Sequence, residues 1–291
     1  MEEFPRRRHA PFAAQTTFLA DGASMRLPRE NAMPNRFCAT GTLAALVLCL
    51  AIGFPPSTHA VDHAAVLIDE IIRAEGGLRA ATAIPALQYD LHIKETTYEA
   101  DATYVVDRKG RMRIDVYMDG KRVVTECYDG HKGWEMDGNG IATTASAEGA
   151  SALWRGTQYP GQILALTELP AHGHVIRAVE PETIDGVAYD VLELTMSDGF
   201  KTYRYADPRS HLIVRGRDTR PLHIDIDPTD ALIETVWSDF RTVDSVRRPF
   251  VSTQADLRSG KWLQTTTVKS IRKLRSLPDR LFAFGAAAEG R

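Results

Sequence analysis

From residue 86 to residue 271 most of the chain alternates apolar and polar residues with a period of two, and Asp-Gly pairs punctuate the alternation. A period of two puts every second side chain on one face of a strand, and Asp-Gly is a tight-turn dipeptide, so the pattern predicts hairpins. Leu87, Tyr89, Leu91 and Ile93 alternate with Gln88, Asp90, His92 and Lys94, and Tyr104 and Val106 continue after a break at 99–101. Met112, Ile114, Val116 and Met118 alternate with Arg111, Arg113, Asp115 and Tyr117 up to Asp119-Gly120. Residues 124–128 return, Asp129-Gly130 turns, and a short strand carries Trp134 and Met136 to Asp137-Gly138. Further candidate strands cover 174–179, 187–195, 201–205, 211–217, 231–240, 250–257 and 262–271. The fold class expected is mainly β (α+β): one large antiparallel sheet, curved or barrel-like, with one apolar and one polar face.

Two stretches depart from this rhythm. Residues 62–83 place Val66, Ile68, Ile71, Ile72 and Leu78 at helical spacing, punctuated by Gly76-Gly77, and read as an opening helix. Residues 148–168 contain Ala152, Leu153, Ile163, Leu164 and Leu166 and suggest short helical pieces broken at Tyr159-Pro160-Gly161. No internal repeat and no Pro/Gly/Ser-rich linker divides the strands, so residues 61–291 are expected to form a single domain.

The most apolar run, 43–54, follows Arg36 and precedes Pro55, Pro56, Ser57, Thr58, His59 and Ala60. A basic segment, a short apolar core and small residues before the cut make a secretory signal peptide, with cleavage expected after Ala60. The run is shorter than the roughly 20 apolar residues a membrane-spanning helix needs. Met33 opens a conventional leader by itself, so residues 1–32 read as an over-extended start. Leu48 before Cys49 is too large for a lipobox, so the product is expected to be soluble. Without residues 1–60 the formal charge moves from −3 to −5 and Cys127 is the one cysteine left. That charge excludes a strongly basic nucleic-acid footprint, and the place of Cys127 in the alternation marks a buried thiol.

Catalytic signatures are missing. The sequence has no Gly-x-Ser-x-Gly, His-Glu-x-x-His, Gly-x-Gly-x-x-Gly, Walker loop or Cys-x-x-Cys. His172-Gly173-His174 lacks a third metal ligand at a suitable spacing, and Asp225, Asp227 and Asp230 around Pro228 fit ordinary turn chemistry. No nucleophile is paired with a base, so no enzyme activity and no cofactor are expected. The basic stretch 269–275 reads as the solvated face of a last strand, with contact to an anionic membrane or partner as its functional alternative.

The order of motifs nevertheless resembles a family. An opening helix with Gly-Gly is followed by strands, then Val106-Asp107-Arg108-Lys109-Gly110-Arg111-Met112-Arg113, then Asp129-Gly130-His131-Lys132-Gly133-Trp134. Asp185-Gly186-Val187, Tyr205-Ala206-Asp207-Pro208, the run from Asp239 to Phe250, and Leu277-Pro278-Asp279-Arg280-Leu281-Phe282 come later in the same order. This resembles the LolA-like superfamily of periplasmic lipoprotein carriers and outer-membrane lipoprotein-sorting proteins, over about residues 62–284. The resemblance implies an unclosed antiparallel barrel whose concave apolar face is covered by helices. It implies a monomeric carrier of acylated lipoprotein or lipid in the periplasm of a Gram-negative bacterium, served by membrane-associated donor or acceptor proteins. Arg108 matches the family arginine that holds the lid helices shut, although Lys109 stands where proline is usual and Ser245 where glycine is usual. A non-transport binding or sensor module of the envelope on the same scaffold is the alternative; sensor relatives carry a second domain, which is not expected here.

A carrier needs an apolar concavity, and the alternating strands supply one. The ligand-binding residues expected are Tyr89, Tyr104, Met112, Ile114, Met118 and Trp134, with Arg108 as the lid latch; methionines and aromatics suit ligands of variable shape. The same side chains would equally fill a closed core.

Overall fold

The computed structural model describes residues 58–159 and 163–287. The leader expected over residues 1–60 lies outside the described residues except for its last three, which fall in the first turn of helix α1 (Thr58–Ala74). After α1 comes the short helix α2 (Leu78–Thr82). Six strands follow: β1 (Ala86–Glu95), β2 (Glu99–Asp107), β3 (Arg111–Met118), β4 (Lys121–Tyr128), β5 (Gly133–Asp137) and β6 (Ala142–Thr144). Helix α3 (Ala147–Gln158) and a 3-10 helix (Leu166–His172) lead to β7 (Val175–Ile184), β8 (Val187–Thr195), β9 (Lys201–Ala206) and β10 (Ile213–Arg220). Strands β11 (Ala231–Val243), β12 (Val246–Asp256) and β13 (Trp262–Leu274) complete the sheet.

All thirteen strands belong to one antiparallel sheet in the order β6-β5-β4-β3-β2-β1-β13-β12-β11-β10-β9-β8-β7. Sequence neighbours pair throughout, with one exception: β6 and β7 occupy opposite edges, because β1 pairs with β13 at the centre. The sheet is therefore open, and the connection through α3 and the 3-10 helix runs from one edge to the other. The sheet is also curled. Leu192 and Leu194 of β8 and Ala206 of β9 share one core with Leu87, Leu91, Ala102 and Ile114 of β1–β3, although many strands separate them. A flat sheet could not bring these side chains together.

The predicted single opening helix is broken in two. Gly76 and Gly77 have φ of +118° and +91°, a region that L side chains rarely adopt. Gly76 also lies against the β11–β12 turn so closely that a Cβ would sit 2.0 Å from the Ser245 carbonyl oxygen. The Arg247 N–H donates to the Glu75 carbonyl at 2.7 Å across the same contact. Packing against a distant hairpin thus requires the chain break that the two glycines permit.

The convex face is not simply solvated. After β13 the chain turns back across it, and Leu277 and Phe282 pack with Ala86, Val105, Cys127, Trp134 and Met136. The Trp134 indole N–H donates to the Phe282 carbonyl at 3.0 Å. The Arg111 guanidinium lies 4.2 Å from the Phe282 ring centroid and pairs with Asp107 at 2.6 Å and Asp279 at 2.7 Å. Arg113 grips Asp115 and donates to the carbonyls of Leu281 and Ala286 at 2.9 and 3.0 Å. Arg111, Arg113 and Asp115, placed by their alternation on a polar face, are buried there because the C-terminal segment covers them. Cys127 is buried in this layer as expected, and burial pushes its thiol far up, so it stays protonated.

Phe282→Ala removes the plug of the convex layer and is expected to cost about 3–5 kcal/mol, the usual range for a buried phenylalanine, in chemical denaturation. Gly76→Ala meets both a clash and an unfavourable φ, and is expected to lower the midpoint of thermal unfolding by several degrees, whereas Gly140→Ala on an open turn has a much smaller effect.

Candidate ligand-binding site

The inner face begins with the cross-strand register of β1 to β4. Leu87, Tyr89, Leu91 and Ile93 stand opposite Val106, Tyr104, Ala102 and Ala100 of β2. Met112, Ile114 and Val116 of β3 continue the same rows, and Val124 of β4 follows Val116. Paired residues point to one face, so these rows form a continuous apolar wall. It is covered by Leu67, Ile71 and Ile72 from α1, by Leu153 from α3, and by Tyr159, Ile163, Leu164, Leu166 and Leu169 from the crossing connection. None of these covering residues can be identified from strand periodicity; for those in α1 and α3 the signal is helical spacing.

Among the expected binding residues, Tyr89, Tyr104, Met112 and Ile114 lie together on this wall, and half-buried Met118 packs at its end. The Tyr89 and Tyr104 rings are 5.7 Å apart between centroids. Burial pushes both phenols up, and Tyr89 accepts a hydrogen bond from Arg248 at 3.2 Å. Trp134 lies elsewhere, on the convex face beneath the C-terminal segment, because it alternates with Glu135, whose partner Glu126 stands opposite Ile114.

Arg108, in the turn between β2 and β3, ties down two covering segments at once. Its Nε donates to the Ile84 carbonyl at 2.7 Å and its Nη2 to the Ala81 carbonyl at 2.9 Å, at the end of α2. Its Nη1 pairs with Glu168 of the 3-10 helix at 2.7 Å. Glu168 in turn accepts from the Ala165 N–H at 2.8 Å. The carbonyls at a helix end are acceptors the helix itself leaves unmet, so a fork of N–H groups suits them.

The far wall is different in kind. Arg204 of β9 stands opposite Gly216, Gly216 opposite Thr235, Thr235 opposite Gln254, Gln254 opposite Gln264, and Gln264 opposite Glu95. Arg204 is also the partner of the core residue Leu192, so this polar rung shares the inner face. Ser252 and Thr266 pair beside it, and Thr266 faces Ile93. Arg204, Thr235, Ser252, Gln254, Gln264 and Thr266 are all buried. The expected uniform apolar concavity is thus two walls, one apolar and one hydrogen-bonding. Alternation hid this, since buried polar residues in β10–β13 read as a solvent face.

The β10–β11 connection reaches across to the apolar half. His223 Nε2 lies 2.9 Å from Glu95 Oε2, and Tyr98 donates to the other Glu95 oxygen at 2.7 Å. Asp225 hydrogen-bonds Glu135, which pairs in register with Glu126, a residue only 2% exposed. Burial first, and the neighbouring Glu135 and Asp225 charges second, push the Glu126 carboxyl well up. Burial and Asp225 raise Glu135 to about 7. Among the described residues no group of three or more His, Cys, Asp or Glu is arranged to hold a metal ion. His174 instead accepts the Ser197 N–H at 3.0 Å, and its ring stacks on that of His172.

No family profile matches the chain, and no curated protein sequence matches it. Solved structures do. A DUF1329 family protein from Desulfovibrio piger aligns with a TM-score of 0.51 at 11% identity, covering 75% of this chain and 96% of its own. A LolA superfamily protein from Nitrosomonas europaea gives 0.49 at 14% identity, with 76% and 97% covered. A domain named for outer-membrane lipoprotein sorting, from Vibrio parahaemolyticus, gives 0.48 at 10% identity, with 76% and 97% covered. Identities this low speak to the fold alone: an open antiparallel half-barrel, as in the DUF1329 family protein.

The raised Glu135 carboxyl has a consequence for stability. A carboxyl whose pKa is higher in the folded state than in the unfolded chain loses stability as pH rises from about 4.5 to about 7. Glu135→Gln is therefore expected to stabilise the protein at pH 8 and to leave it unchanged at pH 4, measured by urea midpoints at the two pH values.

Proposed function

We propose that this chain is a binding protein for lipidated or hydrophobic ligands of the cell envelope, acting as a carrier in lipid transport or outer-membrane lipoprotein sorting. The observation that carries this reading is the Arg108 latch. One side chain holds both α2 and the crossing connection over an apolar wall. The cover is thus a separate set of segments tied at the rim by polar contacts, not part of the sheet's own hydrogen-bonded ladder. Once these contacts let go, an acyl chain can take the place of the covering side chains. Each methylene it buries contributes about 0.8 kcal/mol, so binding requires no catalytic group.

In this reading Tyr89, Tyr104, Met112, Ile114 and Met118 line the ligand site, and the protein is a single-domain monomer without enzymatic activity or cofactor. The expected leader places it in the periplasm, where membrane-associated proteins would deliver and receive the ligand. Among the described residues no helix is long and apolar enough to cross a membrane.

Arg108→Ala is the test. It removes three hydrogen bonds, one of them to a carboxylate, and is expected to cost about 2 kcal/mol. Its circular dichroism should stay native while it binds an apolar fluorescent dye severalfold better than the parent protein, with the dye displaced by an acylated peptide. A variant that keeps its fold and binds no more dye than the parent would count against a detachable cover.

A further inference from the structure

The polar rung of the inner face has no place in a site that receives only hydrocarbon. A bare acyl chain would be served by valine or leucine at these positions. Instead Thr235, Gln254 and Gln264 stand directly opposite one another, with Ser252 and Thr266 alongside. Gln264 is wholly buried; its Nε2 donates to Thr266 Oγ1 at 3.1 Å, and its Oε1 has no hydrogen-bond partner. Tyr104 Oη on the facing wall, also buried, has none either. Buried polar atoms are seldom left unmet, so both atoms are open to a further hydrogen bond.

Arg204 is built into the same rung. Its guanidinium lies against the sheet where residue 216 is glycine; a Cβ there would sit 2.3 Å from its Nη1. The Trp237 and Tyr159 rings lie 5.2 and 4.7 Å from it. Tyr159 belongs to the crossing connection that the carrier reading lifts away, so release of the cover uncovers Arg204.

We propose that this rung is a head-group subsite, and that the ligand is a polar lipid with a hydroxylated head. The head lies against Gln254, Gln264 and Thr266, and the hydrocarbon chain lies along β1–β4. Hydroxyl groups both donate and accept, as the amides and hydroxyls of the rung do, whereas a carboxylate head could offer nothing to the open Gln264 oxygen. This inference rests on the carrier reading and adds the chemistry of the ligand's head to it.

The experiment uses two esters with the same chain, 1-monooleoylglycerol and methyl oleate, to displace an apolar fluorescent dye from the full chain. The glycerol ester is expected to bind about tenfold more tightly. Gln264→Leu combined with Thr266→Val should bring it down to the affinity of methyl oleate, whose own binding stays unchanged. Gln254→Met provides a second variant should the first fail to fold, judged by circular dichroism, and is expected to lose most of the same preference. Equal affinity of the parent for the two esters, or a preference that survives in a folded variant, overturns the subsite. Dye that is bound but displaced by neither ester does the same while leaving a hydrophobic site in place. Failure to bind dye or either ester overturns the carrier reading and the subsite with it.

Discussion

The pairing of β1 with β13 is the constraint on which the rest of the architecture depends. It joins the first and last strands at the centre of the sheet, so the two halves grow outward in opposite directions and end at β6 and β7. Those two strands are consecutive in sequence yet lie at opposite edges. The connection between them has to cross the sheet, and crossing on the concave side places α3, Leu164, Leu166 and Leu169 over the apolar wall. A covered half-barrel follows from that one antiparallel pairing together with the curl of the sheet.

The cover and the sheet are held by different physics. Within the sheet, backbone ladders fix the register strand by strand. The cover is held by apolar contact and by a few side chains reaching to backbone carbonyls, chiefly Arg108 to Ala81 and Ile84. The close approach of Gly76 to Ser245 anchors the α1–α2 junction to the far half of the sheet. The convex face repeats the principle with a different segment: Arg111 and Arg113 hold the C-terminal stretch by its carbonyls and Asp279 while Phe282 fills the layer above Trp134. Arginines on both faces thus serve as fasteners for chain that lies outside the sheet.

The inner surface divides by strand. Strands β1–β4 supply most of its apolar rows, while β9–β13 bring Arg204, Thr235, Gln254, Gln264 and Thr266 to the same interior. The β10–β11 connection adds a third polar element, with His223 against Glu95 and Asp225 against Glu135 near buried Glu126. A concavity with two chemically distinct walls would suit the two-part ligand proposed above, a match that hydrophobicity alone does not make.

What the amino-acid sequence determined by itself was the local pattern. Period-two alternation and Asp-Gly turns specify strands and hairpins because side-chain direction in a strand depends only on position along it. Most of the strands, the buried Cys127 and the grouping of Tyr89, Tyr104, Met112 and Ile114 were legible for that reason. Tertiary structure decided everything that depends on which strands meet and what covers them. Trp134 belongs to the convex layer, and Arg113 and Asp115 are buried, because a segment 148 to 168 residues later in the chain folds over them. Gln264 and Arg204 face inward because the sheet curls. Alternation separates two faces of a strand, but it does not say which face is inside, and only the closing of one half of the sheet upon the other supplies that answer.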